Sequence, residues 1–160
     1  MKRLILPASI LAAAAAAAAI TAATSVGAAT SQPATTLDLI STMTSFRLAV
    51  GPKPTNGKPT RPSPGDLGYI TGKLFNAGKP SGRYTGVCAQ LNGGNQQCTF
   101  VLGLPNGQII TTAGYGPGMN TGNTAHEAIT GGTGAYQGAH GQGDDRETST
   151  GGQLHLHLLP

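Results

Sequence analysis

From about residue 36 onward, apolar and polar residues alternate in runs of eight to fifteen, separated by Gly, Pro and Asn clusters. A period of two places alternate side chains on opposite faces of a strand. The pattern predicts eight strands: 36–50, 66–75, 82–91, 97–104, 108–115, 123–130, 139–148 and 152–159. The first carries Leu37, Leu39, Met43, Phe46, Leu48 and Val50 in an imperfect alternation, for which a short helix is the alternative. Asn76–Ala77–Gly78–Lys79, Asn92–Gly93–Gly94–Asn95 and Pro105–Asn106–Gly107 read as tight turns, and 116–122 as a Gly-rich loop. Residues 51–65 hold five prolines and little that could pack, so they form a long loop or flap. Eight strands at meander spacing leave two edges, and closing the sheet removes both. The expected fold is all-β, an eight-stranded antiparallel barrel in one domain over residues 30–160.

Several strands carry apolar residues at both parities: Val87, Ala89 and Leu91 against Tyr84 and Cys88, and Phe100 and Leu102 against Val101. Both faces of such strands are expected to be covered, one lining the barrel and the other meeting a neighbouring subunit or the Pro-rich segment. A hairpin folded about Gly93 sets Cys88 opposite Cys98, where opposed Cβ atoms come within reach of a disulfide.

Composition sharpens this picture. With 25 Gly, 11 Pro, no Trp and 10% charged residues in 160, coiled coils and helical bundles are excluded. Glycine shows no three-residue period, which excludes collagen. The first 29 residues are an address: basic Met1–Lys2–Arg3, an apolar stretch from Leu4 to Ile20, and small residues at Val26–Gly27–Ala28–Ala29 for cleavage. The apolar stretch is marginal for a membrane anchor, so a secreted protein with no stable membrane insertion is expected. Without Lys2 and Arg3, the ten Lys/Arg become eight against six Asp/Glu, too weak a positive charge for nucleic acid as a partner.

Candidate chemistry is sparse. Gly131–Gly132–Thr133–Gly134–Ala135–Tyr136 lacks both the dinucleotide and the Walker spacing, and reads as a structural turn with positive-φ glycines and Tyr136 tucked beneath. His155 and His157 share a strand face and could meet one metal, with His126, His140, Asp144 or Asp145 as a third ligand. The same alternation arises with no metal, and none is expected. No Gly-x-Ser-x-Gly elbow occurs, and Asp38, Asp66, Glu127 and the Asp144 cluster give no signalled carboxylate pair.

Gly65–Asp66–Leu67, Thr71–Gly72–Lys73–Leu74, Gly86–Val87–Cys88 and the stretch from Ala128 to Gln142 together resemble the allene oxide cyclase barrel family. The Gly–Gly–Thr–Gly–x–aromatic segment within that stretch is shared with dirigent proteins. The resemblance covers residues 65–142. It implies an eight-stranded barrel, commonly trimeric, with an elongated apolar cavity and no cofactor. Cys88 and Tyr115 match cavity residues of the family, with Tyr115 the catalytic candidate. Cys88, Tyr115, Tyr69 and Phe100 are the expected ligand contacts. The family's cavity Asn is Gly72 here, and threonines such as Thr42 and Thr44 stand where its first-strand polar groups would be. Asp66, Arg83 and Glu127 are the ionisable residues available for a dirigent-like interior. The expected function is binding and orienting a small apolar or phenolic molecule. A cofactor-independent cyclase or isomerase, and a structural barrel with a filled core, are the alternatives.

Overall fold

The computed structural model describes residues 34–49, 62–119 and 121–160. The expected export address, the end of the first expected strand at Val50 and residues 51–61 of the Pro-rich segment lie outside the described residues. Eight strands form a closed antiparallel meander: β1 (Thr35–Ala49), β2 (Leu67–Asn76), β3 (Lys79–Gln90), β4 (Gln96–Leu104), β5 (Gly107–Tyr115), β6 (Thr124–Gly134), β7 (Gly141–Glu147) and β8 (Gly151–Leu158). The length of β1 permits closure. Its first half, Thr35 to Thr42, pairs with β8, and Ile40 to Ala49 pairs with β2.

A bulge explains the imperfect alternation of β1. Met43 opposes Gly72 and Ser45 opposes Thr71, leaving Thr44 as the extra residue. Before it, Leu39 and Ser41 are buried; beyond it, even positions face in, so that Phe46 reaches the same interior as Met43. The helix alternative for this segment is therefore excluded.

A second bulge corrects the Gly131–Gly134 segment. Ile110 opposes Gly131 while Thr111 opposes Ile129, so β6 bulges at Thr130 and continues as a strand through Gly132 to Gly134. Only Gly134 of these glycines has positive φ, at 63°. The turn itself starts at Ala135. Gly132 is needed for a different reason: a Cβ there would strike the Tyr136 backbone and side chain. Tyr136 packs against the core as expected.

The interior has two halves. Leu39, Leu74, Leu102, Ile109, Ile129, Leu154, Leu156 and Leu158 fill the end near the β2–β3, β4–β5 and β6–β7 turns. Burying each such side chain contributes about 1.5–3 kcal/mol. Towards the opposite end the residues become smaller or aromatic: Cys88, Cys98, Ala113, Tyr115 and Ala125, with Phe100 and Met119 against them. The barrel is filled at one end and hollow at the other.

Candidate functional site

The hollow end holds a cavity of about 360 Å³, within the range of small-molecule sites. Its walls come from Met43, Phe46, Ile70, Tyr84, Phe100 and Tyr115, together with Met119 of the β5–β6 loop. Glycines on adjacent strands make room for the rings. A Cβ at Gly72 would overlap the Tyr84 ring, and one at Gly86 the Phe100 ring. Phe100 lies edge-on to both Tyr84 and Tyr115, with ring centroids 6.3 Å apart in each pair. Cys88 and Cys98, opposed in register, are joined in a disulfide with Cα atoms 4.0 Å apart, and both line the cavity wall.

A carboxylate cluster lies beneath the rings. The Tyr115 hydroxyl donates towards Glu127 Oε1 and Asp145 Oδ2, each at 3.4 Å. Glu127 is 3% and Asp145 9% exposed. Glu127 Oε2, Asp145 Oδ1 and Thr111 Oγ1 complete no hydrogen bond, although the Thr111 hydroxyl stands close enough to Glu127 to favour its ionised form. Burial, reinforced by the charges of Glu127 and Glu147, pushes the Asp145 carboxyl up from 3.8 to about 7. Glu127 and the half-buried Glu147 are raised too, chiefly by burial. Tyr115 is held well above the usual tyrosine range by burial and then by Asp145 and Glu127, so it stays protonated and donates. Tyr84 is also raised, by burial first, with Ser41 as its hydrogen-bond partner. Ser41 Oγ in turn accepts from the Gly152 amide at 2.8 Å.

Asp145 depends on Gly152. A Cβ at position 152 would overlap the Asp145 carboxyl, so the glycine gives that group its place between β7 and β8. A smaller void of about 20 Å³ lies between Glu127, Asp145, Tyr84 and Phe100, connecting the carboxylates to the leucine layer.

Of the expected ligand contacts, Cys88, Phe100 and Tyr115 line this cavity. Tyr69 does not. Even positions of β2 face inward, so Ile70 occupies the wall while Tyr69, 43% exposed, stands on the outer surface opposite Val87. Gly72 is buried beneath Tyr84, and Thr44 lies outside, bonded to Thr71, so Ser41 is the polar group that β1 supplies. Of the ionisable candidates, Glu127 lies inside. Asp66 is buried in the loop before β2, where it accepts from the Ser63 amide, and Arg83 is exposed. His155 pairs with Asp38, and His126 with Asp144, on the outer face. Neither His155 nor His157 joins a metal-binding group of three among the described residues.

The sequence offered Asp145 as a possible metal ligand beside His155 and His157, not as an interior carboxylate. A signal for both carboxylates is parity: Glu127 sits between Ala125 and Ile129, and Asp145 follows Gly143, all on the buried side. A charge at the apolar parity of a strand marks an interior site.

No protein-family model and no curated protein matches the sequence. Solved structures do. A pyocyanin demethylase is similar over 78% of this chain and 99% of its own, with 24% identity and a TM-score of 0.63. The fold is that of the dirigent-like barrels. The pterocarpan synthase dirigent protein PsPTS1 is similar over 81% of this chain and 94% of its own, at 13% identity and a TM-score of 0.55. Its counterpart GePTS1 is similar over 80% and 90%, at 12% identity and a TM-score of 0.52. At these identities the likeness is one of fold.

Proposed function

We propose that this protein is an exported dirigent-like barrel that binds a small aromatic or phenolic molecule and fixes its orientation. One observation carries the reading: an aromatic-walled cavity of about 360 Å³ has a buried tyrosine–carboxylate cluster at its base. Rings of a ligand stack against Phe46, Phe100 and Tyr84, while a ligand hydroxyl donates to Asp145 or accepts from Tyr115. Such an arrangement fixes both position and direction. A barrel filled with its own side chains would leave no volume of this size. The likeness to barrels named for pyocyanin demethylation and pterocarpan synthesis supports a small-molecule ligand. The Lys2–Arg3 start, the apolar stretch after it and the disulfide support export. Exposed Tyr69 and Val87 on the outer face support self-association as part of the same reading.

The test is a titration with 2-naphthol, excited beyond the tyrosine absorption band, where a chain with no Trp gives no background. Saturable binding at one probe per chain, weakened fivefold or more by Phe100→Ala, is expected. Absence of saturable binding overturns the reading.

A second reading, isomerisation by proton transfer, is favoured by Asp145 alone. A carboxyl near 7 can take a proton from a bound ligand and return it at another atom at neutral pH. Tyr115, held protonated, supplies a hydrogen bond to developing negative charge. Tyr115→Phe then lowers turnover by more than it lowers affinity.

A further inference from the structure

The described residues give the interior of this barrel one sign of charge. Among the described residues, Asp145 and Glu147 line the cavity and Glu127 lies just beneath, whereas no Lys, Arg or His lines it. This occurs in a chain whose formal net charge is +4. A buried carboxylate is stable only when protonated or provided with a positive partner. Tyr115 satisfies one oxygen of Asp145 and leaves Oδ1 without a hydrogen bond on a residue 9% exposed. Around these groups stand the rings of Phe46, Tyr84, Phe100 and Tyr115, and the side chains of Met43 and Met119. Aromatic walls with carboxylates at their base are complementary to positive charge spread over a flat organic molecule.

We infer that the cavity selects an organic cation: a flat aromatic ring bearing a delocalised positive charge, seated against the four rings with its charge beside Asp145 and Glu147. The inference rests on the small-molecule reading above and names the ligand class. Binding replaces the missing partner of Asp145. The groups facing Asp145 are Tyr115 from β5, Glu127 from β6, Glu147 from its own strand and Tyr84 from β3, while β1 and β8 contribute uncharged Ser41, Gly152 and Leu154. Among the described residues no positive group competes for it within the cavity, and its titration near 7 makes cation binding strongest above neutrality.

The experiment compares 1-methylquinolinium with 1-methylnaphthalene, probes of one shape that differ in charge, on the full mature chain. At pH 8 the cation is expected to bind at least tenfold more tightly. That preference should shrink towards parity at pH 5.5 and in Asp145→Asn at pH 8, with the affinity for 1-methylnaphthalene unchanged. Glu147→Gln, at a half-buried position, gives a several-fold loss of preference and carries the test should Asp145→Asn not fold. Equal or tighter binding of 1-methylnaphthalene overturns the inference and leaves the ligand-binding reading intact. A cation preference unmoved by both variants overturns it as well. Failure of both probes to bind overturns the ligand-binding reading itself.

Discussion

Tyr115 and Asp145, thirty residues apart, meet inside the barrel with the phenolic hydroxyl 3.4 Å from Asp145 Oδ2. Tyr115 on β5 and Asp145 on β7 flank β6, which pairs with both strands and brings the two side chains together on the inner face. The contact joins an aromatic wall to an acidic base, and its energetics are open to measurement.

Asp145 makes folding stability depend on pH. The unfolded carboxyl titrates near 3.8 and the folded one near 7, so between these values the folded chain holds more protons. Stability then falls as pH rises through this window, and the full cost is present above about 7. Glu127 and Glu147, also raised, act in the same direction. Asp145→Asn removes the charge and should raise stability at pH 8 by about 1–3 kcal/mol, with little change at pH 4. Urea midpoints at the two pH values check this.

The disulfide closes a short hairpin, with a separation of 10 residues. Reduction should cost about 2–3 kcal/mol by the loop-entropy account. The urea midpoint with and without a phosphine reductant reads this directly, without removing any atom from the cavity wall.

Gly72 should tolerate no side chain. A Cβ there overlaps both the Tyr84 ring and the Thr42 carbonyl, and Gly72→Ala is expected to destabilise by about 2–4 kcal/mol. Gly114, also on a strand, has open space at the Cβ position. Gly114→Ala should stay within about 0.5 kcal/mol of the parent. Thermal unfolding of the pair separates steric from backbone effects.

The expected contact at Tyr69 gives a further contrast. Tyr69→Ala should leave 2-naphthol affinity unchanged, since the ring stands outside the barrel. Phe100→Ala, in the wall, should weaken it fivefold or more. Equal losses would contradict the inward parity assigned to β2.

The fold was legible because three of its hairpins announce themselves. Alternation at period two and the Ala77–Gly78, Asn92–Asn95 and Asn106–Gly107 turns predict the strands to within a few residues. The opposition of Cys88 and Cys98 follows from counting back from Gly93. The β6 extension was not legible, since three glycines in four residues have the composition of a turn, and only pairing with β5 makes them a strand. The inward face was obscured by two features. The bulge at Thr44 switches the parity of β1 midway, and aromatic residues such as Tyr69 and Tyr84 lie on opposite faces of neighbouring strands. The meeting of Glu127 and Asp145 at the Tyr115 hydroxyl depends on the register of β5, β6 and β7, which local pattern does not encode.

The central claim, that the hollow end is a binding site for a small aromatic molecule, is tested most directly by amide chemical shifts of the isotope-labelled chain titrated with 2-naphthol. The account predicts saturable shifts at one equivalent, concentrated at Ser41, Tyr84, Phe100, Tyr115, Asp145 and Gly152 around the cavity. Shifts confined to the outer face at Tyr69, Val87 and Thr99, or no saturable shift at all, would contradict it.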